Sequence, residues 1–147
     1  MTWPYAKTLQ PRPRRLLGEV ILPAIPRSWN VLLSAKARDR MRIRREDKAR
    51  WAALLLAVGC HLPRDVKRAE LHFRCYGNRR RDPDNLYVKP LIDAMRQIGI
   101  LIEDDSDHIR GVRLEYRQER GQEGRTRLRI YDGAREECRC VAKEVSP

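Results

Sequence analysis

The spacing of apolar and polar positions changes several times along the chain, and each change marks an element. Residues 16–22 (LLGEVIL) are apolar with β-branched members and stop at Pro23, which predicts a first strand. Residues 23–30 read as a loop because of Pro23 and Pro26. Between 34 and 45, Arg40, Arg42 and Arg44 alternate with Met41 and Ile43, the period that sets three guanidinium groups on one face of an extended segment. Helical spacing then takes over at 46–58. Trp51, Leu54, Leu55 and Val58 form one apolar stripe, Glu46 and Asp47 suit the positive end of the helix dipole, and Gly59 supplies a stop.

Residues 69–76 return to period two, with Leu71, Phe73 and Cys75 set against Glu70, His72 and Arg74, and predict a half-buried strand. Val88, Leu91, Ile92, Met95 and Ile98 keep helical spacing until Gly99. Pro90 requires that this helix begin only a few residues earlier, since proline is tolerated in a first turn and breaks an interior. Residues 109–117 and 125–131 read as two strands joined by a Gly-rich turn (QERGQEG), an expected antiparallel hairpin. The sum is a single α+β domain of β-α-β-α-β-β order, with one mixed sheet covered by two helices.

Composition adds appendages and a partner. The chain has 147 residues, enough for one domain with a proper core at 16–132. A basic, proline-containing arm is expected at 1–15 and a poorly ordered tail at 133–147. Thirty-two Lys and Arg stand against twenty Asp and Glu, a net charge of +12, and the usual partner of such a balance is a polyanion. Nucleic acid is favoured over a membrane, because no basic amphipathic anchor helix and no apolar leader is evident. A cytoplasmic location is the matching expectation. Cysteines at 60, 75, 138 and 140 lack metal-site spacing and read as free thiols, while His61, His72 and His108 read as packed or surface imidazoles.

The densest chemistry lies where three arginines, Arg79, Arg80 and Arg81, run into Asp82-Pro83-Asp84-Asn85, followed by Lys89 and then by Glu103, Asp104, Asp105 and Asp107. Two aspartates at i and i+2 project from one side of an extended segment and can share a hard cation, which for Mg²⁺ means one or two carboxylates, several waters and a substrate phosphate. A second reading stands beside that one: Asp-Pro-Asp-Asn is also good turn and helix-cap chemistry. Arginines beside clustered acids suit a phosphodiester that is attracted by the protein and attacked near a cation. The 40–44 segment reads either as a phosphate-gripping loop or as a solvated face.

The ordered set Arg79-Arg80-Arg81-Asp82-Pro83-Asp84-Asn85-Leu86, then Lys89-Pro90-Leu91-Ile92-Asp93, then Gly99 and Asp104-Asp105-Ser106, resembles the RusA family of Holliday-junction resolvases. The resemblance spans about residues 16–132 and is specific over 79–109. It implies a RusA-like fold and a homodimeric, Mg²⁺-dependent endonuclease, often phage-encoded, that nicks four-way DNA junctions symmetrically. By that resemblance Asp82, Asp84 and Asp105 are the metal-site carboxylates, with Asp104 the alternate, because the acidic pair stands one residue further from its glycine than in the family. Lys89 is the fourth catalytic residue. Arg79, Arg80, Arg81, Asn85, Arg40, Arg42 and Arg44 are the expected DNA contacts. A non-catalytic nucleic-acid-binding module and a flap- or fork-specific nuclease are the alternatives the residues leave open.

Overall fold

A computed structural model of the chain describes residues 14–133, so the expected arm and tail lie outside the described residues except at their inner ends. The elements are β1 (Leu16–Leu22), α1 (Trp29–Ser34), α2 (Ala37–Val58), β2 (Ala69–Gly77), a 3₁₀ turn (Pro83–Asn85), α3 (Lys89–Gln97), β3 (Ile109–Gln118) and β4 (Arg125–Asp132). The domain is mixed α+β. The described residues form a four-stranded sheet of order β1-β4-β2-β3, with β2 and β3 parallel and the other neighbours antiparallel.

β2 is a central strand, and its residues alternate strictly between buried and half-buried positions. Ala69, Leu71, Phe73 and Cys75 are buried, and Val20 and Leu22 of β1 and Leu128 and Ile130 of β4 are buried with them. Against this face pack Trp51 and Leu55 of α2 and Leu91, Ile92 and Met95 of α3, forming one core. The predicted helical stripe is narrower than expected. Val58 remains 39% exposed, and Ala52 completes the buried side instead. No described helix is long and apolar enough to cross a membrane.

Three expectations are corrected. The loop at 23–30 contains the start of α1, capped by Ser28, whose Oγ accepts from the Asn30 amide at 3.1 Å, so the order gains a helix and the described residues form three α-helices. The 34–45 segment is not extended: α2 begins at Ala37, and consecutive odd or even residues of a helix point to opposite sides. Arg40 therefore turns back to the carbonyls of Ala35 and Leu33, Arg42 pairs with Asp39 and Glu46, and Arg42 lies on the side opposite positions 40 and 44, so the three do not line one face.

The third correction concerns the hairpin. β3 and β4 are both strands, but β2 lies between them. The chain from β2 through α3 returns parallel to β2 on the outer edge, and the connection from β3 to β4 then arches over the end of β2. Glu119 N donates to Gly77 O at 2.7 Å, and Gly121 N donates to Asn78 Oδ1 at 3.1 Å. Alternation tells which face a residue takes; it does not tell which strand lies beside it.

Candidate functional site

The residues singled out between 79 and 105 lie on the loop that leaves β2, on the first turn of α3 and on the loop that follows α3. The loop after β2 is held at both ends. Tyr116 Oη of β3 donates to Arg79 O, and Asn78 is engaged by the β3–β4 connection. Further on, Tyr87 N donates to Arg27 O at 2.8 Å, Ser28 and Leu86 form an isolated antiparallel bridge, and the Trp29 and Tyr87 rings lie 4.2 Å apart. Trp29 is thus engaged with an aromatic neighbour. Leu86 and Tyr87 are buried, at 2% and 7%, and anchor the segment that displays the acids.

Arg27 is itself fixed from behind. Its Nε donates to Asp47 Oδ1 of α2 at 2.7 Å, and Asp47 is only 3% exposed. A carboxylate buried to that degree needs a hydrogen-bonded counter-charge. Sequence reading assigned Asp47 to the helix dipole and did not find this pair, which joins positions twenty residues apart with no periodic signal.

Arg79, Arg80, Arg81, Asp82 and Asp84 are exposed, and Asn85 is half-buried. The turn is closed by the backbone: Asn85 N donates to Asp82 O and Leu86 N to Pro83 O, both at 3.1 Å. Asp82 stands at the N-cap of the 3₁₀ turn yet makes no side-chain cap bond, and α3 is preceded by Val88 rather than by an acid. The turn half of the second reading is thus observed, as the Pro83–Asn85 3₁₀ turn, while the side-chain cap is not. Neither carboxylate has a hydrogen bond or ion pair with any described residue.

Lys89 opens α3, with Pro90 in the first turn as the sequence requires. Its ammonium lies 3.0 Å from Asp93 Oδ1, one turn on, and donates also to Asp104 in the loop after the helix. Partial burial works against the Lys89 charge, but the hydrogen bonds it donates to Asp104 and Asp93 outweigh it and its pKa lies above the ordinary value. Asp104 in turn is held below the usual carboxylate range, first by the Lys89 hydrogen bond. Gly99, at φ 85°, makes the turn that brings this loop back, as a residue without Cβ can.

Asp105 is occupied differently. Its Oδ1 accepts from the amides of Asp107 and His108 at 3.0 and 3.1 Å and lies 2.5 Å from His108 Nδ1. The His108 hydrogen bond is the main reason its pKa is lowered. These bonds close the turn that delivers the chain to β3. The signal was legible, since an aspartate followed by polar residues and then a strand is standard turn chemistry.

Among the described residues no group of three His, Cys, Asp or Glu side chains is gathered as an ion would require, so the expected set Asp82, Asp84 and Asp105 is not assembled. Asp104 faces Lys89 and Asp105 serves its own turn. Two hard carboxylates, Asp82 and Asp84, remain without a partner among the described residues, which matches in number and chemistry what Mg²⁺ takes from a protein when waters and a phosphate supply the rest. Cys60 and Cys75 are free thiols, the second buried beside Thr126. No known family model matches the chain, and no curated protein matches it.

Proposed function

We propose that the chain is a structure-specific endodeoxyribonuclease of the RusA kind that nicks four-way DNA junctions with Mg²⁺ as its cofactor. The observation that supports this most is the exposed couple Asp82 and Asp84, left without cap or ion-pair partner among the described residues and preceded directly by three exposed arginines. In a chain of charge +12, carboxylates with no internal use beside a cluster of guanidinium groups suit a phosphate approached together with a cation. Asp82 and Asp84 would hold Mg²⁺, and the chemistry such an ion supplies when bound is polarisation of the phosphate and acidification of water.

Arg79, Arg80 and Arg81 attract and orient the backbone. Lys89, kept protonated by Asp93 and Asp104, offers fixed positive charge for the transition state; a proton-accepting role would need its pKa depressed, and it is raised. Symmetric nicking of a junction needs two such sites about a two-fold axis, hence a homodimer.

The engagement of Asp104 by Lys89 and of Asp105 by His108 favours a second reading, a nucleic-acid-binding module without catalysis. One experiment separates the two. A synthetic four-way junction, a flap and linear duplex are incubated with the protein, with and without Mg²⁺. Paired nicks on the junction in Mg²⁺ alone are expected. Binding without any nicking on all three substrates would leave the module, and cutting of the flap in preference to the junction would move the substrate class.

A further inference from the structure

The helices cover one face of the sheet. On the other face, where half-buried side chains alternate with the core residues of β2 and β4, no described helix packs. Along β4 the residues on that face include Arg125, Arg127 and Arg129, positions two apart on a strand and therefore about 6.8 Å from one to the next. Arg74 of β2 and Arg113 of β3 flank them, and an open recess of about 250 Å³ lies among Arg74, Arg113, Arg127, Arg129, Glu115 and Tyr131.

The charges in this recess do not cancel. Glu115 serves two cations at once, Arg74 Nε at 2.7 Å and an Arg113 terminal nitrogen at 3.0 Å. Arg129 pairs with Glu19 of β1. Arg127 makes no hydrogen bond or ion pair with any described residue. In the register, Arg127 stands directly opposite Arg74, an arrangement of like charges that costs a sheet stability. His72, opposite both Arg129 and Arg113, has a lowered pKa, from burial and then from the Arg113 charge, so it adds a neutral imidazole beside Tyr131, with ring centroids 4.6 Å apart.

We infer that this helix-free sheet face is a nucleic-acid backbone-binding surface, separate from the acid loop, with Arg74, Arg113 and Arg127 as its phosphate contacts and Tyr131 at its rim. A guanidinium fork matches phosphate oxygens in two bonds, and three such forks on three adjacent strands suit the repeated charge of a polymer better than a single small anion. An anion seated between Arg74 and Arg127 also relieves their repulsion. The half-buried Tyr131 ring, paired with His72, offers an aromatic edge at the rim of the kind single-strand binders use. The surface does not depend on whether the chain cuts DNA.

The test uses the full chain, a fluorescein-labelled single strand and a labelled four-way junction, with fluorescence anisotropy from 50 to 200 mM salt. Arg113→Ala/Arg127→Ala is expected to weaken binding at least about tenfold and to lower the salt slope by about one for each contact removed. Thermal melting of the same variant should match or exceed wild type, since Arg74 keeps Glu115 and loses its opposing charge. Arg127→Glu should weaken binding further. Unchanged affinity and slope in both variants would overturn the assignment. So would a shift in sedimentation with affinity intact, which would give the face to a second copy of the chain. Nicking in Mg²⁺ is scored in parallel: a wild type that binds but does not cut, with binding lost in the arginine variants, removes the nuclease reading and upholds the surface. A wild type that cuts, with variants that bind and cut equally well, does the reverse.

Discussion

Lys89, at the start of α3, and Asp104, fifteen residues on, share a hydrogen bond that closes the loop after the helix onto the helix's own first turn. The pair joins two of the segments that carry the candidate site. It makes the protonation of each group depend on the other.

Removing the lysine should therefore release the acid. In Lys89→Gln the Asp104 carboxyl is expected to titrate closer to the ordinary aspartate value near 3.9, as followed by carboxyl carbon NMR. A group whose pKa is depressed on folding stabilises above its unfolded pKa and loses that contribution as pH falls through the folded value. Lys89, raised on folding, stabilises below its own unfolded pKa and loses that contribution as pH rises through its folded value. The stability difference between wild type and Lys89→Gln should accordingly be level between about pH 5 and 10 and fade both in stronger acid and in stronger base. Because half of the Lys89 side chain is exposed, it should amount to about 1 kcal/mol or less. A pH-independent difference would contradict the pair.

Arg27 and Asp47 are a steeper case, since one partner is buried. Arg27→Met strands a carboxylate that is 3% exposed and should cost about 2–3 kcal/mol in urea unfolding, somewhat below the range for a fully buried pair because Arg27 itself is partly in solvent. Arg27→Met/Asp47→Leu should recover most of the loss. If the double variant is as unstable as the single one, the ion pair is not what holds the Ser28 segment against α2.

Gly77 closes β2 where Ile25 and Tyr116 come together: a Cβ there would meet Ile25 Cδ1 at 2.8 Å and the Tyr116 hydroxyl closer still. Gly77→Ala should cost about 1–3 kcal/mol, as overpacking does. It should also loosen the Arg79 carbonyl that Tyr116 holds, visible as faster amide exchange between 79 and 81. Gly77→Ala/Tyr116→Phe, which removes the nearer obstacle, should regain part of the stability.

On the proposed function, Asp82→Asn should abolish junction nicking in Mg²⁺ while leaving binding unchanged or slightly tighter, because one negative charge leaves a phosphate-facing loop. Gel-shift and nicking assays on the same junction read the two effects separately. Equal losses of binding and cutting would assign Asp82 to folding or to DNA contact rather than to a cation.

Much of the fold could be read along the chain. The alternation of Leu71, Phe73 and Cys75 names a half-buried strand because period two leaves little freedom of choice. Gly99 ends α3 with the positive φ that its position suggested, and Pro90 sits in the first turn where a proline must. Local chemistry of this kind acts over a few residues and is written in their order. The same alternation misled at Arg40, Arg42 and Arg44, where Met41 and Ile43 imitate a strand inside a helix that extends to Ala37.

What the order of residues determined by itself was therefore the composition of the parts: strands, helices, their stops, and a cluster of acids beside arginines. Only the tertiary structure decided which strand stands beside which, that Lys89 takes Asp104 while Asp105 closes its own turn, and that Arg74 faces Arg127 across two strands more than fifty positions apart. Those outcomes rest on contacts between distant segments, made when the core closes around Phe73, Trp51 and Met95. Their energy depends on three-dimensional neighbours, and no local period records it.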